Sequence, residues 1–221
     1  MRLDPFQVER FELQGDRFYR TPVGVCPSVT TVLAATKPEE DVAGLAAWRA
    51  EVGDEEADRI ETEARERGTA LHARIEEWAT DPFREPEPAA DPLDPWWSSV
   101  VRALALVEEP LLVEAPVWHA EAGFAGTIDL LARIRGGRLC LFDWKTARRG
   151  KRRDWIRDYE IQVAAYAGAI RRLYGVDLST ACVVVAYADG PADLFWLDLD
   201  DLRSGWADFV PRLRAWKKVG P

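Results

Sequence analysis

The chain has 221 residues and 24.9 kDa, and folding a chain of this size removes about 70% of the surface its unfolded form would expose, so no disulfide or metal staple is required. With 48% hydrophobic and 30% charged residues it is composed as a globular protein; no apolar run reaches the ~18 residues of a membrane helix, and MRLDPFQVER lacks the apolar core of a secretory leader, so a cytoplasmic protein without a membrane partner is expected. A net charge of −9 by itself argues against a nucleic-acid partner, and three cysteines with no CxxC pair suit a reducing compartment and fall one short of the four thiolates of an iron–sulfur cluster, so none is expected.

In chain order, FQVERFEL and RFYRT around Gln14-Gly15-Asp16 read as a hairpin. Ser28 then caps a short helix through SVTTVLAAT, and a second helical stretch covers residues 41–50. From Asp54 to about Thr80 the pattern is strongly helical, with Ile60, Ala64, Leu71, Ile75 and Trp78 near one stripe. Five prolines mark residues 81–95 as a long loop, after which DPWWSSVVRALALVEE opens a helix with Pro at its first position. LLVEAPVW, FAGTIDLLARI and RLCLFDWKT are strand-like, the last two joined through Gly136-Gly137. DWIRDYEIQVAAYAGAIRRLYG is an amphipathic helix ending at Gly175, TACVVVAYA a buried strand, LFWLDL a further strand, and DDLRSGWADFVPRLRAWKK a closing helix.

Charge is distributed unevenly along this plan. Residues 37–94 carry a local net of −11, whereas residues 133–173 carry +8. The densest basic run is Arg148, Arg149, Lys151, Arg152 and Arg153, which is either a solvated loop or a local phosphate-binding patch.

Asp143 and Lys145 stand two apart near the end of an apolar strand and therefore share a face, while Phe142 and Trp144 share the other. Burial of either charge is costly without a partner or a task. Asp129 interrupts the preceding strand and Glu114 the one before it. Three carboxylates converging with a Lys are compatible with a hard divalent cation such as Mg²⁺, which takes oxygen ligands and substrate phosphates.

Glu114, Gly126-Thr127-Ile128-Asp129 and Asp143-x-Lys145 together resemble the core of the PD-(D/E)xK nucleases, with Ile128 where the signature has Pro. Arg67-Gly68-Thr69-Ala70-Leu71-His72 resembles the GTxxH motif of the RecB-like exonuclease branch, and Gln162-x-x-x-Tyr166, with Tyr159 one turn earlier, resembles its QxxxY motif. The ordered set covers about residues 65–187. The resemblance implies an α/β, restriction-endonuclease-like core: a mixed central sheet flanked by helices, with additional N-terminal helices. It implies Asp129, Asp143 and the Trp144 carbonyl as metal ligands, with His72 approaching the metal and Glu114 as an auxiliary carboxylate. Lys145 would activate the attacking water, and Gln162 and Tyr166 would border the site. Glu76, one turn after His72, is a candidate to orient its ring. Mg²⁺ or Mn²⁺ is the implied cofactor; the four-Cys cluster of some CRISPR-associated relatives has no counterpart here.

The expectation is a single domain, 1–221, with an N-terminal hairpin and helices (1–53), a catalytic core (54–187) containing the Pro-rich loop 81–95, and a C-terminal strand and helix (188–221). The expected activity is metal-dependent hydrolysis of DNA by an exonuclease, leaving 5′-phosphate and 3′-hydroxyl. Its substrate would be DNA that is single-stranded or has a free end, in repair or recombination alongside other replication or recombination proteins. Arg148, Arg149, Lys151, Arg152 and Arg153 would contact phosphates, and Trp96, Trp97 and Trp155 are available to stack bases. The alternative is a catalytically silent DNA-binding or scaffold subunit on the same fold.

Overall fold

A small antiparallel sheet precedes everything else. In the computed structural model, which describes residues 3–219, strands β1 (Glu9–Leu13), β2 (Asp16–Thr21) and β3 (Gly24–Pro27) lie side by side in that order. Gln14 and Gly15 at the tip of the first hairpin have φ of 55° and 87°, the left-handed pair that follows the twist of a two-residue turn. β3 has no counterpart among the elements expected from sequence, because four residues of Gly-Val-Cys-Pro carry too little period-two pattern to be seen.

Ser28 caps α1 (Val29–Ala35), its Oγ accepting the Thr31 N–H at 2.9 Å. Helices α2 (Glu39–Val52) and α3 (Asp54–Thr80) meet at Gly53, where φ is 86°. Arg49 of α2 reaches Asp58 and Glu61 of α3 at 2.6 and 3.0 Å, so part of the acidic segment neutralises itself. The buried stripe of α3 is Ala57, Leu71, Ile75 and Ala79; Ile60, Ala64 and Trp78 are only half-buried. Helix α4 (Pro95–Leu104) carries Pro95 at its first turn, with Asp94 accepting the Trp97 N–H at 3.0 Å. It ends before the expected ALVEE segment because the chain enters a 13-residue strand at Val107.

That strand, β4 (Val107–His119), opens a five-stranded sheet with β5 (Phe124–Ile134), β6 (Leu139–Thr146), β7 (Ala181–Ala186) and β8 (Asp193–Leu197), in the order β4-β5-β6-β7-β8. Only β6 and β7 are parallel, as the intervening helix α5 (Arg157–Tyr174) requires; the other pairs are antiparallel. A single 3₁₀ turn at Arg153–Trp155 leads into α5, and Gly175 in the left-handed region ends it. Helix α6 (Leu199–Val219) closes the chain.

Apolar residues fill both faces of the sheet. Leu131, Leu141, Val183 and Val185 pack against Ile161, Ala165 and Ala169 of α5, Phe209 of α6 and Val32 of α1. Leu130, Phe142, Trp144 and Val184 pack on the other face with Leu71 and Ile75 of α3 and Trp97 and Val100 of α4. This is the expected α/β architecture, a mixed sheet flanked by helices with extra N-terminal elements. No described helix is long and apolar enough to cross a membrane.

Candidate active site

Strand register sets three carboxylates abreast. Leu130 pairs with Phe142, so Asp129 and Asp143 stand opposite one another one residue further on; Val113 pairs with Leu130 and Ala115 with Ile128, which puts Glu114 opposite Asp129. Side-chain alternation slips at this level. Leu112, Ala115 and Val117 share one core while Val113 lies against the other, and in β5 Ile128 and Leu131 fall on one side, Leu130 and Ala132 on the other. The slip occurs in both strands together, so pairing survives. In β4 it is absorbed by Glu114, whose φ of 43° is a strained value for a residue with a Cβ.

The β5–β6 ladder stops at Leu130–Phe142, and the next peptide of β6 finds side-chain partners instead. The Trp144 N–H donates to Asp129 Oδ2 at 2.7 Å, and the Trp144 carbonyl accepts from His72 Nε2 at 2.9 Å. Helix α3 is thereby seated on the strand end. Phe142 and Trp144 stack at 5.4 Å on the opposite face from Asp143, as alternation requires.

Asp143 is almost wholly buried. Its Oδ1 accepts from Gln162 Nε2 at 2.9 Å, and its Oδ2 meets the Lys145 ammonium at 2.6 Å but has no hydrogen bond of good geometry. Gln162 also donates to the Tyr166 hydroxyl at 3.4 Å, the i, i+4 pairing expected on α5. The Lys145 ammonium lies 5.2 Å from the Tyr159 ring centroid, within cation–π range. Burial raises the Asp143 carboxyl to about 6, with Asp129 adding to the effect and Lys145 opposing it. Burial pushes Lys145 down, but Asp143 and Asp129 outweigh it and hold the ammonium above its ordinary value. The carboxylate of Asp129 is likewise raised by burial.

His72 donates from Nδ1 to Glu114 Oε1 at 3.2 Å and lies 3.7 Å from Asp129 Oδ1. Both ring nitrogens face acceptors, the arrangement of an imidazolium. Burial opposes that charge, but Asp129 and Glu114 prevail and raise the pKa to about 9. One ligand atom each from His72, Glu114 and Asp129 lies within 4.8 Å of the others. Two carboxylates, an imidazole, the adjacent Trp144 carbonyl and the under-bonded Asp143 Oδ2 make a donor set that fits a hard divalent cation. Asp143 is the one expected ligand that stands outside the His72–Glu114–Asp129 cluster: its Oδ1 is held by Gln162, while its Oδ2 has the Lys145 ammonium beside it and no hydrogen bond. Glu76 is exposed and does not orient His72; Glu114 and the Trp144 carbonyl do.

The basic run divides. Arg153 pairs with Glu160 and Asp201, both at 3.0 Å, and so braces the start of α5 rather than standing free. Arg152 pairs with neighbouring Asp154, Lys151 approaches the Tyr159 ring at 5.9 Å, and Arg148 lies 3.6 Å from Glu63 of α3. Arg149 is exposed, with no carboxylate partner among the described residues. Trp155 is exposed, Trp96 half-buried and Trp97 buried in the core.

Two features could not be foreseen from sequence. A Cβ on Gly126 would lie 2.4 Å from Tyr166 Cε1, so only glycine lets that ring sit over β5. The Tyr19 hydroxyl of β2 shares a 2.9 Å hydrogen bond with Thr127, tying the small sheet to the strand of Asp129. Gly126 and Thr127 are visible in the motif, but nothing in one dimension pairs them with Tyr166 and Tyr19.

With this geometry, the profile of the PD-(D/E)XK nuclease superfamily matches residues 40–205, and the chain belongs to that superfamily. Among individual proteins, it is similar to mitochondrial genome maintenance exonuclease 1 of Xenopus tropicalis, 31% identical over 207 residues that cover 88% of this chain and 58% of that protein. The proteins of the same name from Mus musculus and Homo sapiens are each 28% identical, over 200 and 203 residues, covering 86% and 87% of this chain and 58% of each relative. The chain thus spans 58% of the length of the curated relatives it matches.

Proposed function

We propose that this chain is a divalent-metal-dependent deoxyribonuclease, an exonuclease that hydrolyses phosphodiester bonds at or near a free DNA end and leaves 5′-phosphate and 3′-hydroxyl. The observation that carries the reading is the convergence of His72, Glu114, Asp129, Asp143 and Lys145 from one helix and three adjacent strands, in a family of nucleases. The names of the relatives support exonuclease action in genome maintenance; other replication or recombination proteins would be its partners.

His72, Asp129, Glu114 and the Trp144 carbonyl would hold Mg²⁺ or Mn²⁺, with Asp143 contributing Oδ2. Such a cation lowers the pKa of bound water and offsets charge on a phosphate. Lys145 is the chain's own contribution to the reaction: its ammonium orients the attacking water and stabilises negative charge as it grows on the phosphoryl oxygens. Tyr159 confines that ammonium from one side and Asp143 from the other. Gln162, itself held by Tyr166, fixes the Asp143 carboxylate so that neither charge turns away. We read the whole of 1–221 as one nuclease domain, with the N-terminal sheet joined to the catalytic strands through Tyr19 and Thr127. Three unpaired, buried cysteines suit a reducing compartment such as the cytoplasm.

The test is cleavage of end-labelled linear DNA and of circular DNA, each single- and double-stranded, in Mg²⁺, Mn²⁺ or EDTA. Metal-dependent loss of linear substrate alone is expected, with Lys145→Ala reducing the rate by about 10²–10³ or more. Cleavage of circles would make the enzyme an endonuclease. DNA binding without cleavage in either metal would make it a silent subunit.

A further inference from the structure

Arg67 lies on α3 five residues before His72, about 7.5 Å along the helix. Its Nε is buried without a hydrogen-bond partner, and its guanidinium lies 5.1 Å from the Trp96 ring centroid. The neighbouring charges leave it uncompensated. Glu63, one turn back, gives one oxygen to Arg59 and the other to Arg148 at 3.6 Å. Arg59 also has Glu56, at 2.6 Å, whereas Arg67 makes no ion pair among the described residues. Arg67 therefore feels the repulsion of Arg148 as well as the attraction of a carboxylate already shared.

Helix α3 and the end of β6 bring these cations to the catalytic centre. His72 lies on Trp144; four residues back along the helix, a Cβ on Gly68 would come 3.8 Å from Thr146 Oγ1; Arg67 and Arg148 follow just beyond. An incoming dianionic or monoanionic oxygen group would complete what the protein leaves open at that point. The Trp96 ring, at cation–π distance, holds the guanidinium in place with its Nε enclosed, and the terminal nitrogens, which make no hydrogen bond among the described residues, are the donors left for an incoming phosphate.

We propose that Arg67 and Arg148 form a phosphate-binding notch that takes a backbone phosphate adjacent to the bond being cut. This rests on the nuclease reading and names the part of the substrate that the metal centre does not touch. The notch holds the strand in register, so Arg67 is a positioning residue: without it the scissile phosphate moves relative to Lys145.

The experiment uses the full chain, as wild type, Arg67→Gln, Arg67→Lys and Arg148→Ala, on labelled single strands in which one phosphate at a time is replaced by a neutral methylphosphonate. Wild type is expected to cut about tenfold more slowly when the neutral linkage occupies the notch, the effect of removing one charge-assisted hydrogen bond. Arg67→Gln is expected to be about tenfold slower on unmodified DNA, with no further decrease from the same methylphosphonate. Arg67→Lys recovers little, because an ammonium lacks the guanidinium's fork. Affinity measured in EDTA against salt gives a second readout, with the log–log slope falling by about 0.7 in Arg67→Gln. An unchanged slope, or a wild type indifferent to every neutral linkage beyond the scissile one, overturns the notch; so does a lower melting temperature with an unchanged slope, which marks Arg67 as structural. Absence of cleavage by wild type in both metals overturns the nuclease reading instead, and the salt slope then decides the notch by itself.

Discussion

The proton on His72 Nδ1 faces Glu114 and Asp129, the carboxylates that a divalent cation would claim, and this has a measurable consequence. A histidine whose folded pKa stands at about 9, above its ordinary 6.5, stabilises the metal-free fold fully below pH 6.5 and loses that contribution as pH rises through 9. In EDTA, the melting-temperature difference between wild type and His72→Gln should be greatest near pH 6 and shrink by pH 9.5. In saturating Mg²⁺ the trend should reverse, because uptake of the cation displaces the proton and strengthens with pH. A difference that is flat with pH in both conditions would remove His72 from the ligand set.

At the scale of the elements, the site is a seam where regular structure gives way. The β5–β6 ladder ends, alternation slips in β4 and β5, and the freed Trp144 peptide is taken up by Asp129 and by α3. Helix α5 closes the seam from the other side only because Gly126 leaves room for Tyr166. Gly126→Ala would force the ring out and with it the Gln162 hydrogen bond to Asp143. Overpacking of this kind costs roughly 1–3 kcal/mol, read as a lower melting temperature, and cleavage should fall further than stability alone explains. An alanine variant with unchanged melting and rate would mean that Tyr166 can settle elsewhere at no cost.

For the whole molecule, the proposed action on DNA requires an acidic chain to confine attraction to one region. The −11 segment is partly neutralised by internal pairs such as Arg49 with Asp58 and Glu61, and the cations around Arg148–Arg152 lie just beyond the end of β6. Arg149 and Arg152 are exposed and belong to no buried network, so Arg149→Ala/Arg152→Ala should leave melting unchanged. The same double variant should reduce the log–log salt slope of single-strand binding by about 0.7 for each phosphate it no longer neutralises. Arg153, held by Glu160 and Asp201, should behave in the opposite way, its removal lowering the melting temperature with little effect on that slope. Equal slopes for all three would place the DNA path elsewhere.

The architecture and most of the candidate site were legible in one dimension because they rest on local regularities. Period-two and helical patterns located seven of the eight strands among the described residues and the main helices, the i, i+4 spacing paired Gln162 with Tyr166, and charged residues inside apolar strands marked Asp129, Asp143 and Glu114, since burial of a charge needs a reason. Pairings that depend on strand register and on which helix crosses which strand end were not legible. Nothing local says that Glu114 rather than Glu76 holds His72, that Asp143 is engaged by Gln162 and Lys145, that Arg153 braces α5, or that Arg67 is left without a carboxylate. Those outcomes follow from the competition among like and opposite charges brought within a few ångströms by folding. A linear pattern records which residues are charged, but their partners are chosen by distance, burial and geometry, quantities that exist only once the chain has closed on itself.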